Sequence, residues 1–388
     1  MTGWGSARDP LHVVQLSVFR DPAQRAPQAL LEGWPSLVDI ATAAARGGAR
    51  VTLIQAASEA ARLQRAAVDY EFVPASAARP FTAEPALAQR LRELAPDILH
   101  LHGLGFPEEI LALRRICPDT PLLLQDHASK PPALWRRPQW RRAWAGADGV
   151  SFCARAQAEP FRRRGLLRPG TPVYEIPEST SHFTPGDQAA ARRACALGGQ
   201  PCLLWVGHLD ANKDPLTVLA GVSEASRSLP QLQLFCYFGT APLREAVTRR
   251  IAADPQLRGR VHLRGAAPHA LIEQAMRGAD LFVLGSHREG SGYALLEALA
   301  CGLPPLVSDI PSFRALTAGG AVGALWRCGD ASALAAALRR LSAPPPAALR
   351  AAVRAHFERE LSSVALGRKL VAAYAELAAC RRAWRTRA

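Results

Sequence analysis

Short apolar runs, three to six residues long and separated by helical patterns, recur from Leu11 to Val307, and this alternation narrows the choice of fold more than any other feature. A run without polar alternation has to be covered on both faces, as parallel strands are, and a parallel strand reaches its neighbour only through a crossover, usually a helix. Strands are predicted at Leu11–Leu16, Arg50–Gln55, Asp97–His102, Pro121–Gln125, Asp148–Cys153 and Val173–Ile176, with a helix over Leu37–Arg46. The link PESTSHFTPGDQ, rich in Pro, Ser, Thr and Gly, ends this series. A second begins near Pro201, with strands at Leu203–Val206, Gln233–Phe238, Arg260–Leu263, Leu281–Leu284 and Pro305–Val307. The fold class expected is α/β, built from two Rossmann-like, doubly wound parallel-sheet domains. Residues 1–180 are expected to form the first domain, 181–200 a linker and 201–365 the second domain, with 366–388 expected as a helix that packs back on the first. No short internal repeat occurs, and APPPAA at 343–348 reads as a brief linker.

A chain of 388 residues with 49% hydrophobic content is long enough for two such cores. Its eight cysteines show no C-x-x-C pairing and mostly sit in apolar runs, as free thiols of a reducing compartment do. The start MTGWGSARDP lacks a charged-then-apolar signal pattern, and no segment carries 18 uninterrupted apolar residues, so a cytoplasmic protein is expected. The net charge of +14 is unevenly spread. Residues 1–129 carry 12 basic and 14 acidic side chains, whereas Lys130 to Gly170 carry 10 basic ones against only Asp148 and Glu159. Within that block Trp135, Trp140 and Trp144 interleave with Arg136, Arg137, Arg141 and Arg142. Such a segment suits peripheral contact with an anionic membrane, at the inner face for a cytoplasmic protein, or with an anionic acceptor. The alternative is an ordinary amphipathic helix with its tryptophans inward. Nucleic acid is not an expected partner, because no recognition motif accompanies the charge.

The chemistry concentrates in Leu281 to Ser308. The apolar run Leu281–Leu284 ends at Gly285, Gly290 and Gly292 permit a tight turn, and apolar residues at helical spacing begin after Tyr293. Amides at such a helix start favour a phosphate. Glu289 lies in the turn and Glu297 one to two turns inside the helix, so the two carboxylates bracket a diphosphate, one towards a sugar and the other towards a ribose. Upstream, the strand LLWVG leads into HLDANKDP, and Lys213 there is one of only three lysines, with Lys130 and Lys369. A mobile ammonium at a strand-to-helix turn suits a diphosphate whose charge grows as it leaves. Asp214 and Pro215 make an ordinary helix start.

These residues resemble a known family. The motif S-x-x-E-G-x-G-x-x-x-x-E-A-x-A-x-G is similar to the E-x7-E signature of the retaining GT-B glycosyltransferases of family 4 (glycosyl transferases group 1), and Gly207 and Lys213 match that family's G-R-L-x-x-x-K-G loop. The resemblance covers Cys202 to Leu325 strongly and the earlier chain weakly. It implies a GT-B fold whose two domains face a central cleft. By the same resemblance Glu289 and Lys213 are catalytic, Glu289 contacting the transferred sugar, and Glu297 binds the nucleotide ribose. Gly290, Ser291, Gly292, His208 and Arg264 then complete the donor side. His208 stands where the family commonly has Arg, so it either contacts phosphate or only shapes the loop. Loops such as Arg264–Pro268 separate UDP- from GDP-sugars largely through backbone contacts.

The first domain is expected to bind the acceptor, since ligands of open parallel sheets collect beyond the carboxyl ends of the strands. Gln125, Asp126 and His127 end the PLLLQDH strand, and His127 is similar to the family's histidine near the donor sugar and its phosphate, hence a third catalytic candidate. His100 and His102 share one strand face, an arrangement that suggests a metal, but no third ligand is evident. The family's Gly-Gly loop after the first strand is missing. Gly33, Trp34 and Ser36 stand in for it, with Asp126 and His102, on the acceptor side. No D-x-D triplet is present to hold a cation, so no metal and no cofactor are expected beyond a UDP- or GDP-linked donor.

The expected activity is retaining hexosyl transfer from a nucleotide sugar to a hydroxyl of a glycan, a lipid-linked saccharide or a small molecule. The attack is on the same face, with the departing phosphate taking the proton, unless the reaction runs as a double displacement. The alternatives are a nucleotide-sugar epimerase or hydrolase on the same fold, or a GT-B-like binding module without turnover.

Overall fold

The computed structural model describes residues 9–75, 79–341 and 347–385, with side chains as far as Arg381. The first eight residues, which carry most of the stretch read for a signal, lie outside the described residues, as does most of the 343–348 link. The described chain divides into two compact units, one running up to Ser179 and resuming at Ser363, the other spanning Thr180–Ser362.

The described residues form fourteen strands: β1 His12–Ser17, β2 Arg50–Ala57, β3 Ala61–Arg65, β4 Val68–Pro74, β5 Ile98–His102, β6 Leu122–Gln125, β7 Gly149–Phe152, β8 Val173–Glu175, β9 Cys202–Val206, β10 Gln233–Tyr237, β11 Val261–Gly265, β12 Leu281–Leu284, β13 Pro305–Ser308 and β14 Ala324–Trp326. The first eight form one sheet in the order β3-β4-β2-β1-β5-β6-β7-β8, and the other six form a second in the order β11-β10-β9-β12-β13-β14. All pairings are parallel except β3 with β4. Both units are therefore doubly wound α/β sheets. The central strands β1, β5, β6, β9 and β12 are buried almost throughout, which is why their sequences read as continuous apolar runs.

Two elements were invisible to periodicity. The β3–β4 hairpin turns through Ala66 and Ala67, both at positive φ (51° and 61°), where Gly or Asn would normally announce a two-residue turn. β3 is moreover a polar, largely exposed edge strand, so it presents no apolar run. β14 has only three residues, below the length at which alternation can be read.

The stretch 181–200, read as a linker, carries the helix Gln188–Ala194 and belongs to the second unit. Gln188 donates to Asp280 (3.0 Å), whose other oxygen accepts from the amide of Cys202 (2.8 Å), so the segment is tied to the first residue of β9. In the first unit the long helix Ser363–Arg385 crosses the helix Pro35–Arg46 at two glycines. A Cβ on Gly367 would lie 2.3 Å from the carbonyl oxygen of Ala43, and one on Gly47 2.6 Å from that of Gly367, so the backbones touch only because both side chains are absent. Tyr374 of the long helix is thereby buried in the core that includes Val13, Ile40 and Leu123.

Candidate functional site

Each sheet has one switch point, where the chain leaves one side of a strand and returns on the other, and ligands of open α/β sheets bind outside the carboxyl ends there. In the second unit the switch lies between β9 and β12, because β10 and β11 are added on one side of β9 before the chain crosses to β12. The loop after β9 holds Gly207 to Asp214 and the loop after β12 holds Gly285 to Gly292.

Backbone bonds stitch these loops together. The His287 amide donates to the Asn212 carbonyl (2.8 Å), and the Asn212 side-chain amide donates to the Arg288 carbonyl (2.9 Å). The Lys213 amide donates to Asp210 (2.9 Å), while Asp214 caps the helix Pro215–Ser226 by accepting from Thr217 (3.2 Å). The result is a salt bridge between Lys213 Nζ and Glu289 Oε1 at 2.5 Å, with side chains 17% and 11% exposed. Residues 76 apart in sequence are thus one charged unit. Gly292, at φ +65°, opens the helix Tyr293–Ala300, and a Cβ there would meet the Phe313 ring at 2.7 Å. Gly290 and Ser291 are buried in the preceding turn.

Glu297 lies on that helix with its side chain 16% exposed, and its carboxylate accepts a 2.5 Å hydrogen bond from His269 Nε2. Burial pushes the Glu297 carboxyl up, and the histidine partly counters the shift. His269 escaped the sequence reading although it follows Pro268 directly, at the end of a loop already singled out. Its ring packs on Phe183 with centroids 4.5 Å apart. His208 Nδ1 accepts from the Thr240 amide (3.2 Å) and so joins the loops after β9 and β10. Arg264 is engaged elsewhere: its guanidinium lies 5.3 Å from the centre of the Phe235 ring and donates to the Ala196 carbonyl (3.1 Å).

In the first unit the switch lies between β1 and β5. Ser17 and His102, at the ends of those strands, line a cavity of about 350 Å³ together with Phe19, Trp34, Ser36 and His127. Of the residues named for this side, Gly33 and Asp126 do not line it. Gly33 is covered by Arg25, which also stacks on Trp34, and buried Asp126 accepts from the Ser129 amide (2.8 Å) in a turn.

Behind the cavity runs a polar chain. Glu178 Oε2 is 2.7 Å from His127 Nδ1, and His127 Nε2 is 3.2 Å from His102 Nδ1. His102 Nε2 reaches Gln15 Oε1 of the side-chain amide (3.2 Å), and His100 Nδ1 meets the Tyr374 hydroxyl (2.8 Å). Burial holds His102 well below the usual histidine range and drives His100 down to about 3, so both rings are neutral near pH 7. Among the described residues no group of three or more His, Cys, Asp or Glu is placed to hold a metal ion.

The Trp/Arg segment divides. Trp140 and Trp144, on the helix Arg137–Trp144, are buried, and Arg141 donates to the carbonyls of Arg164 and Gly165. Trp135 and Leu134, one turn before the helix, are instead 82% and 70% exposed, next to exposed Arg136. No helix among the described residues is long and apolar enough to cross a membrane.

Comparison with known proteins gives a consistent picture. A family profile described as Glycosyltransferase Family 4 matches residues 36–177, and one described as Glycosyl transferases group 1 matches residues 200–343. The GDP-mannose:cellobiosyl-diphosphopolyprenol alpha-mannosyltransferase of Xanthomonas oryzae pv. oryzae is 26% identical over 244 residues, 59% of this chain and 60% of that protein. A D-inositol 3-phosphate glycosyltransferase of Segniliparus rotundus is 31% identical over 40% of this chain and 37% of its own length. The chain thus matches about 60% or less of the length of these curated relatives. Among solved structures, a glycosyltransferase from Rickettsia africae superposes with a TM-score of 0.69 at 13% identity, covering 95% of this chain and 99% of that one. Anabaena Alr3699/HepE, solved in complex with UDP, superposes with a TM-score of 0.66 at 17% identity, covering 95% and 100%.

Proposed function

We propose that this chain, which belongs to the family 4 (group 1) glycosyltransferases of GT-B fold, transfers a sugar with retention from a UDP- or GDP-sugar to a hydroxyl acceptor and needs no metal to do so. The observation that carries this reading is the Lys213–Glu289 pair at the β9/β12 switch point. A leaving diphosphate gains negative charge in the transition state, and Lys213 is the cation positioned to follow it. Donors fixed in advance towards developing charge are the largest single contribution in many enzymes. Glu289, released from Lys213 as the diphosphate takes over the ammonium, accepts from hydroxyls of the transferred sugar.

Glu297 holds the ribose. Its carboxylate is carried on a helix and mostly buried, and the ribose hydroxyls replace His269 as its hydrogen-bond partner. His269 is mostly exposed, its ring resting on Phe183, so its place on the carboxylate is open to a ligand from solvent. The acceptor occupies the cavity beside Trp34 and His102, with His127 at its polar wall. Same-face attack asks for no carboxylate nucleophile, since the departing phosphate takes the hydroxyl proton.

A peripheral membrane role is favoured by one further observation. Leu134 and Trp135 project beside Arg136 while their neighbours Trp140 and Trp144 are used up in the core. An exposed aromatic next to a cation suits the interface of an anionic bilayer. A lipid-linked acceptor would be met there, in line with the diphosphopolyprenol named for the Xanthomonas relative.

The test is a thermal-shift screen of nucleoside diphosphates and their sugars, followed by product analysis with the donor that binds. A ligand specific to the native state raises the melting temperature according to its affinity. Formation of a glycoside supports transfer, whereas free sugar alone or an epimer would favour the hydrolase or epimerase alternative.

A further inference from the structure

One cluster at the second switch point has no part in the chemistry above. Cys328, just beyond β14, places its Sγ 3.2 Å from His287 Nδ1, and His287 Nε2 is 3.0 Å from Asp214 Oδ2. Three loops, following β9, β12 and β14, each supply one member. The contacts use opposite edges of the imidazole, so the carboxylate fixes the proton on Nε2 and turns the Nδ1 lone pair to the thiol. That is the order of nucleophile, base and orienting acid. The same geometry excludes a shared metal ion, because Cys328 and Asp214 lie on opposite sides of the ring. Six of the other cysteines are buried, and Cys380 is exposed. Cys328 is intermediate in exposure, so small reagents reach it. Burial and the nearby Asp214 raise its thiol, which therefore rests protonated and reacts with help from the base.

We propose that Cys328 is an activated thiol, with His287 as its base and Asp214 as the orienting group, which reacts with hydroperoxides and by doing so disables the neighbouring anion site. In the step, the thiol proton passes to His287 Nδ1 and the sulfur attacks one peroxide oxygen. The O–O bond breaks, and the departing hydroxide or alkoxide leaves as water or alcohol with the proton returned from the imidazolium. Cys328 is oxidised to the sulfenic acid and the peroxide is reduced. The added oxygen enlarges a side chain that already lies 3.2 Å from the His287 ring, and so crowds that ring. His287 is bonded through its amide to Asn212 and lies two residues before Glu289, while Asp214 adjoins Lys213, so displacing the ring pulls on both loops that hold the Lys213–Glu289 pair. The effect on donor binding rests on the function proposed above, whereas the thiol reactivity does not.

The experiment treats the intact protein with hydrogen peroxide plus dimedone, and separately with iodoacetamide, and measures each cysteine by peptide mass spectrometry. Cys328 should react at least about tenfold faster than the more exposed Cys380, and His287→Gln should erase that advantage without altering the circular dichroism spectrum. Equal rates at the two cysteines, or an unchanged Cys328 rate in His287→Gln, would overturn the activated thiol. In the second arm, peroxide should abolish UDP or GDP binding by the wild type and spare it in Cys328→Ser. Full labelling with unchanged nucleotide binding would overturn the link to the anion site. If the untreated wild type binds neither nucleotide, the functional reading and the link both fall, and the labelling rates still decide the thiol.

Discussion

Replacing Lys213 by Ala removes the cation from a pair whose atoms are 2.5 Å apart and whose side chains are 17% and 11% exposed. At an effective dielectric of about 20 the gross attraction is roughly 6 to 7 kcal/mol, most of it offset by the desolvation of both groups. The catalytic loss is the better-defined quantity. Removing one pre-aimed donor to a developing charge costs about 2.7 to 4 kcal/mol, a fall in turnover of roughly a hundred- to a thousandfold. Binding of the bare nucleoside diphosphate should fall less, because its charge has already formed and water solvates part of it. Glu289→Gln should do the opposite, leaving bare UDP or GDP binding intact or tighter, since Lys213 no longer has a competing carboxylate, while transfer drops. The assay is kcat and KM with the donor that binds, alongside calorimetric titration of the diphosphate. Turnover of Lys213→Ala within about threefold of wild type would remove this lysine from the leaving-group site.

Glu297→Gln should weaken nucleotide binding by roughly tenfold or more, a hydrogen-bonded charge being worth about 1.5 to 3 kcal/mol, whereas equal loss in Glu289→Gln would contradict the separate roles. Because burial raises the Glu297 carboxyl and His269 counters it, His269→Ala should make nucleotide affinity fall at a higher pH than in wild type when titrated by calorimetry. His100 is depressed to about 3 in the folded chain. The unfolded chain therefore binds the extra proton first, and stability should be lost as pH falls from about 6.5 towards 3, at up to roughly 1.4 kcal/mol per pH unit. The gap between urea midpoints at pH 7 and pH 5 should narrow in His100→Gln, with buried His102 keeping the remainder, and an unchanged gap would refute this. Trp135→Ala with Arg136→Glu should abolish sedimentation with anionic vesicles at low salt and spare nucleotide binding, while a wild type that ignores such vesicles would end the membrane reading.

Much of the fold was legible because its central strands are covered on both faces and so write uninterrupted apolar runs, as Leu281–Leu284 does. The β3–β4 hairpin was not, since Ala66 and Ala67 take up positive φ without the residues that advertise it. In the site, the turn glycines and the spacing of eight from Glu289 to Glu297 could be read locally. What the sequence hid was pairing across distance. Nothing local says that Lys213 meets Glu289 rather than solvent, that His269 covers Glu297, or that Cys328, His287 and Asp214 line up from three loops. The contacts of Arg264 with Phe235 and of Gly33 with Arg25 were likewise not legible from their positions near the strand ends.

The central claim is that the β9/β12 switch point activates a nucleotide sugar through Lys213 and passes the sugar on with its configuration kept. The most direct measurement follows the anomeric proton of a UDP- and GDP-sugar panel by NMR, with pooled hydroxyl acceptors, for the wild type and Lys213→Ala. The account predicts that one donor is consumed, that nucleoside diphosphate and glycoside appear together with the donor's anomeric configuration retained, and that Lys213→Ala slows this by roughly a hundredfold or more. Consumption of no donor, a product of opposite configuration, or equal rates in the two proteins would contradict it.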